Sequence, residues 1–200
     1  MKKKEIRVAI TGNIACGKSI LGKFLEDLGY LVVDTDLITH ELLNSLIIKE
    51  EILNICAFYN INVLDTLSGL IDRKKLAKVF FENFELKKKI ENILHPKIKD
   101  EIESVKIEGT GIMFVLIPLL FELNWQQNYN YNILVFCSPE IQLERLKSRN
   151  PDLSEEDCKR RINSQMPQEQ KKELANFIID NSGTFDQSKK QMLEIIELIV

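Results

Sequence analysis

The segment Gly12-Asn-Ile-Ala-Cys-Gly-Lys-Ser19 leaves this chain few folds to choose from. It has the form G-x-x-x-x-G-K-S, follows the apolar run Ile6–Ile10 and leads into a helical pattern that starts at Lys18. Strand, glycine turn and helix in that order build a cradle for phosphate. Gly12 and Gly17 let the backbone turn several N–H groups inward around an anion. Lys18 adds a mobile cation, the Ser19 hydroxyl can ligate Mg²⁺, and the helix points its positive end at the same anion. Asn13, Ile14, Ala15 and Cys16 fill the variable positions, and Ile20 supplies only its backbone N–H. A thiol at a helix N-terminus can also be activated, but Cys16 reads more simply as a small residue lending its amide. A nucleoside triphosphate with Mg²⁺, that is ATP or GTP, is the ligand such a loop implies.

The rest of the chain supplies the sheet this loop requires. Runs of strand character occur at Ile6–Thr11, Leu31–Asp34, Ile112–Leu120, Tyr131–Cys137 and Phe177–Asp180. The first, third and fourth are nearly continuous in apolar residues, as in parallel strands covered on both faces. Helical patterns separate them, so the expectation is an α/β, doubly wound, parallel five-stranded sheet. Lys18–Leu28 carries apolar residues at Leu21, Phe24, Leu25 and Leu28 and stops at Gly29. From about residue 39 to 108 the strand signal gives way to helical patterns at 42–46, 52–58, 76–81, 84–94 and 98–105. That is too long for a connector and reads as a substrate-binding insertion. A second helical excursion, about 139–173, reads as a lid, with caps at Ser138-Pro139-Glu140 and Ser154-Glu155-Glu156-Asp157. The core is then 1–38, 109–138 and 174–200, closed by an amphipathic helix from Gln187.

Two carboxylates, Asp34 and Asp36, stand at the carboxyl end of the second strand, where ligands of such sheets sit. A carboxylate there can accept the proton of an attacking hydroxyl. Asp36 also suits the N-cap of a helix beginning at Leu37. No N/T-K-x-D segment for reading guanine occurs, which argues against a regulatory GTPase. The third strand lacks the closing aspartate of an ATPase motor and runs instead into Ile117-Pro-Leu-Leu-Phe-Glu122. Glu122 could hold a metal through water or be a solvated loop acid. Of six arginines, four lie at 145, 149, 160 and 161. Arg145 and Arg149 share a helix face, and guanidinium groups suit bidentate binding of a phosphoryl group in transfer. These features choose a small-molecule kinase, with a lid bringing arginines onto the phosphates.

A net charge of −3 gives no global attraction to nucleic acid or to a membrane surface. The opening MKKKEIRVAI has too short an apolar run for a signal peptide, and Ile112–Phe121 is too short to span a bilayer. The four cysteines are scattered, without a C-x-x-C pair, as in reduced thiols of a cytoplasmic protein.

Together the segments ITGNIACGKS, GYLVVDTD, LHPKI, IPLLFE, CSPEIQLERLKSRN and RINSQMPQEQKKELANFIIDNSG resemble the dephospho-coenzyme A kinase family, in its order and over most of the chain. The resemblance implies transfer of the γ-phosphate of ATP to the ribose 3′-hydroxyl of dephospho-CoA; a monomer is expected. Asp36 then matches the base, Arg145 and Arg149 belong to the lid, and Asn181 matches a residue near the adenine. Asp34 and His95 fall on the acceptor side, although a structural role for His95 at the turn before Pro96 serves as well. Asn13 and Ala15 stand where glycines are common in the family, and Ile20 where threonine or a small residue is. Another acceptor (a nucleoside, a nucleotide or shikimate) is the alternative reading.

Overall fold

The computed structural model describes residues 5–200, apart from the Phe81 side chain. The basic opening, Met1–Lys4, lies outside the described residues. The chain divides into two units, one running to Asp34 and resuming over Ile107–Val200, the other Thr35–Lys106.

The first unit holds the sheet. Its strands are β1 (Ile6–Thr11), β2 (Leu31–Asp34), β3 (Ile112–Leu116), β4 (Tyr131–Phe136) and β5 (Phe177–Asp180), in the order β2-β3-β1-β4-β5 and all parallel. Val8, Ala9 and Ile10 point alternately to the two faces and are all fully buried. The central strand is therefore covered on both sides, which is why its sequence shows no polar alternation. Helices α1 (Lys18–Asp27) and α9 (Phe185–Ile199) close one face, joining Leu21, Leu25, Met192 and Ile196 to Val8, Ile10, Phe114 and Val135. Helix α9 starts at a complete capping box, with Thr184 accepting from Gln187 N while the Gln187 side chain accepts from Thr184 N.

Strand β3 is shorter than the apolar run suggests. It ends at Leu116, and after Ile117 N donates to Ile10 O the chain turns at Pro118, which has no N–H to continue a ladder. The excursion expected as a lid comprises α6 (Pro139–Arg149), α7 (Glu155–Asn163) and α8 (Gln168–Leu174). Ser138 caps α6 with proline in the first turn, and Ser154 caps α7.

The second unit consists of α2 (Thr35–Asn44), α3 (Leu46–Phe58), α4 (Arg73–Glu82) and α5 (Phe84–Ser104). It begins four residues earlier than the composition shift suggested. Helix α5 buries Leu86, Ile90, Leu94, Ile98 and Ile102, a stripe at every fourth residue along which α2, α3 and α4 pack. It continues straight through Pro96, where the sequence predicts a break between two helices. The missing N–H and ring clash of an interior proline are outweighed by apolar burial on both sides of it. Among the described residues no helix is long and apolar enough to cross a membrane.

Candidate active site

The loop between β1 and α1 is shaped by what stands behind it. A Cβ on Gly12 would lie 2.6 Å from the carbonyl oxygen of Val135, so β4 itself forbids any side chain there. Gly17 sits at φ 96°, and a Cβ would meet Asn181 Nδ2 at 2.1 Å. Both obstacles are met at once at Gly17: a left-handed backbone and no space. The Gly17→Ala protein is expected to lose ATP affinity by at least roughly tenfold, since the left-handed conformation alone costs about 1–2 kcal/mol; isothermal titration against a non-hydrolysable ATP analogue measures it.

Gly17 is also the N-cap of α1, so no side chain closes that helix, and its first turn contains no acid. The positive end of α1 is left for an external anion. Lys18 is buried at the first helical position, while Ser19 and Ile20 are exposed. The Ser19 hydroxyl is thus at the surface, and the Ile20 side chain faces away from the buried core.

Ala15 adopts φ 66°, a left-handed conformation that a residue with a Cβ avoids at about 1–2 kcal/mol. Its neighbours are held in place. Gln165 Oε1 accepts from Ile14 N at 2.7 Å, and Gln142 Nε2 donates to Ile14 O at 2.9 Å. Asn13 Nδ2 donates to Met166 O at 3.0 Å. Cys16 Sγ donates to Gln168 Oε1 at 3.1 Å, and its carbonyl accepts from Asn181 Nδ2 at 2.8 Å.

The Cys16 thiol does not behave as an activated nucleophile. Its hydrogen bond with Cys137, at 3.1 Å between sulfurs, and then burial push it well above the ordinary thiol range. Cys137 is moved the other way, chiefly by the same bond and further by the guanidinium of Arg145. Arg145 acts electrostatically on Cys16 as well, which ties its charge to the phosphate loop. Its Nη1 is buried without a hydrogen-bond partner among the described residues. Arg149, one turn on, is exposed, and neither arginine joins an ion pair there, whereas Arg160 pairs with Asp157 and Lys147 with Glu155.

The other candidate residues sit in distinct settings. Asn181 is 5% exposed, its Nδ2 engaged on Cys16 and its Oδ1 accepting from Ser188 at 2.7 Å. Its side chain braces the loop from behind. Glu122 is not a solvated loop acid: Oε1 accepts from Met166 N at 3.0 Å and from the wholly buried Lys171 Nζ at 2.8 Å. Asp34 closes β2, half-buried, two strands from β1. Helix α2 begins at Thr35, so Asp36 lies exposed in its first turn and is not an N-cap for Leu37. His95 lies within α5, and burial keeps its imidazole below its ordinary range, toward the neutral form. The structure therefore gathers the loop residues, Arg145 and Asn181 in the first unit, while Asp36 and His95 belong to the second. Among the described residues no three His, Cys, Asp or Glu side chains form a metal site. The roles of Gln142, Gln165, Gln168 and Lys171 escaped sequence reasoning; the only signal for the last three was their place in the segment SQMPQEQKK.

A parallel sheet of this order with a phosphate loop after its central strand defines the class: a P-loop kinase fold. Residues 6–187 match the family model described as CoaE, dephospho-CoA kinase. The chain belongs to the dephospho-CoA kinase family. It is 32% identical over 197 residues to the dephospho-CoA kinase of Listeria innocua serovar 6a, with 96% of each chain covered. Among solved structures it is similar to TT1252 of Thermus thermophilus, with a TM-score of 0.82 and 28% identity over 99% of this chain and 100% of that one. It is also similar to dephospho-CoA kinase from Campylobacter jejuni, with a TM-score of 0.65 and 31% identity over 96% of both chains.

Proposed function

We propose that the protein transfers the γ-phosphoryl group of ATP to the ribose 3′-hydroxyl of dephospho-CoA, the last step of coenzyme A synthesis, acting as a cytoplasmic monomer. Family membership supports the reaction, and one observation carries its ATP half: the uncapped N-terminus of α1 behind a glycine-shaped loop, within reach of the charge of Arg145. In this reading the amides of Gly12–Ile20 and Lys18 hold the β- and γ-phosphates. Arg145, and Arg149 beside it on α6, neutralise charge that spreads over the transferring group. Asp36 accepts the proton of the attacking hydroxyl, while Asp34 and His95 stand on the acceptor side. Asn181 enters through the loop it props.

The residues fit Mg²⁺ bound together with the nucleotide, because Ser19 is exposed at the start of a helix that no side chain caps among the described residues. Ser19 would be its protein ligand, with phosphate oxygens and water completing the shell. When bound, the ion supplies neutralisation of phosphate charge.

Purified protein given dephospho-CoA and ATP should form CoA and ADP in equal amounts, and EDTA should stop the reaction. ADP formation that appears only with shikimate, a nucleoside or a nucleotide would reassign the acceptor. ATP binding without transfer to any of them would make the protein a binding module.

A further inference from the structure

We infer that Gln168 is a positioning residue for phosphoryl transfer: with Gln142 and Gln165 it forms an amide bracket that holds the phosphate loop in its binding conformation around a non-glycine left-handed residue. The inference deepens the nucleotide-binding half of the function proposed above and rests on it.

Gln168 opens α8, directly after Pro167. A glutamine amide offers two donors and an oxygen with two lone pairs, and here all are used. Oε1 accepts from Cys16 Sγ at 3.1 Å and from Cys137 N at 3.2 Å. Nε2 donates to Cys137 O at 3.0 Å and to Gln142 Oε1 at 3.1 Å. The amide thus pairs with both backbone groups of Cys137, just beyond β4, as a neighbouring strand would, and from that anchor it reaches the loop by two routes. One is direct, to the Cys16 thiol. The other runs through Gln142, 1% exposed, to the carbonyl of Ile14. Gln165 takes the N–H of the same residue.

The bracket therefore grips residues 14 and 16 and leaves Ala15 between them at φ 66°. A glycine would take that conformation freely. With alanine, the loop needs an external hold, and the glutamines are the groups that make it. A loop released from the bracket spends only part of its time in the binding-competent form, and apparent nucleotide affinity falls by that fraction.

The test is a double-mutant cycle between Gln168→Ala and Ala15→Gly, read by titration of a fluorescent ATP analogue without acceptor and by steady-state kinetics. Q168A should weaken analogue binding and raise KM for ATP by roughly ten- to a hundredfold, as for the loss of several buried hydrogen bonds. The KM for dephospho-CoA should hold. A15G in the Q168A background should recover most of that loss, and should help the wild-type protein far less. A general structural role for Gln168 would lower thermal stability without this rescue. Unchanged analogue binding by Q168A, or equal help from A15G in both backgrounds, would overturn the bracket. Should Q168A not fold, as judged by circular dichroism, Gln165→Ala enters the same cycle with the same two outcomes. Because binding is read without acceptor, failure to phosphorylate dephospho-CoA would sink the proposed reaction and leave the bracket standing.

Discussion

Replacing Asp36 by asparagine is expected to cut turnover by about 10²–10⁴-fold, the range general-base catalysis contributes, while ATP binding stays close to that of the wild-type protein. Asparagine keeps the shape of the side chain and one acceptor oxygen but has no site for the proton of the ribose hydroxyl. The residues proposed to hold ATP, at 12–20 and on α6, belong to the other unit. The measurement is kcat from initial rates at saturating ATP and dephospho-CoA, with the Kd for an ATP analogue as control. Turnover within a few-fold of wild type removes Asp36 from the mechanism. A loss of ATP affinity as large as the loss of rate would instead make it a nucleotide-binding residue.

The second large effect is on stability. Lys171→Met is expected to destabilise the protein by about 3–5 kcal/mol, the usual outcome when one partner of a buried ion pair is removed. Lys171 has no solvent exposure, and its Nζ sits 2.8 Å from Glu122 Oε1 and 3.4 Å from the Pro118 carbonyl. Methionine fills the volume but leaves the Glu122 charge without its cation, beside an Oε2 that already lacks a partner among the described residues. For a chain of this size the midpoint of thermal unfolding should drop by roughly 10 °C. Adding Glu122→Gln removes the stranded charge and keeps an acceptor for Met166 N, so the K171M/E122Q protein should melt well above K171M. Equal melting of K171M and wild type would show that the pair carries no stability.

The two effects differ in how visible they were beforehand. The phosphate loop was legible because its constraints are local: Gly12, Gly17, Lys18 and Ser19 act through backbone freedom, charge and a hydroxyl fixed by sequence spacing. The parallel sheet was legible for a similar reason, since burial on both faces writes itself into unbroken apolar runs such as Ile6–Ile10. Strand β3 was overextended because Ile117, Leu120 and Phe121 stay buried after the chain leaves the ladder, and apolarity records burial, not pairing. The LHP triplet signalled a helix end by a sound local rule. The continuous stripe Leu86 to Ile102 overrides it, and that stripe makes sense only once α2, α3 and α4 are in place.

The support of the loop was the least legible part. Gln142, Gln165 and Gln168 are uncharged and act on partners 26 to 31 residues away or, in the loop, more than a hundred away, as with Gln165 on Ile14. Nothing in local spacing announces such contacts. The prop made by Asn181 met the same limit, since only the fold shows its amide aimed at the Cys16 carbonyl.

That dependence on distant partners bears on how the protein comes into being. A nascent chain that has emerged from the ribosome as far as β4 already contains the whole octapeptide, yet it lacks Gln142, Gln165, Gln168 and the Asn181–Ser188 prop. Competence to take up ATP is therefore acquired only once α9 has emerged and docked, and shorter nascent chains should leave cellular nucleotide untouched.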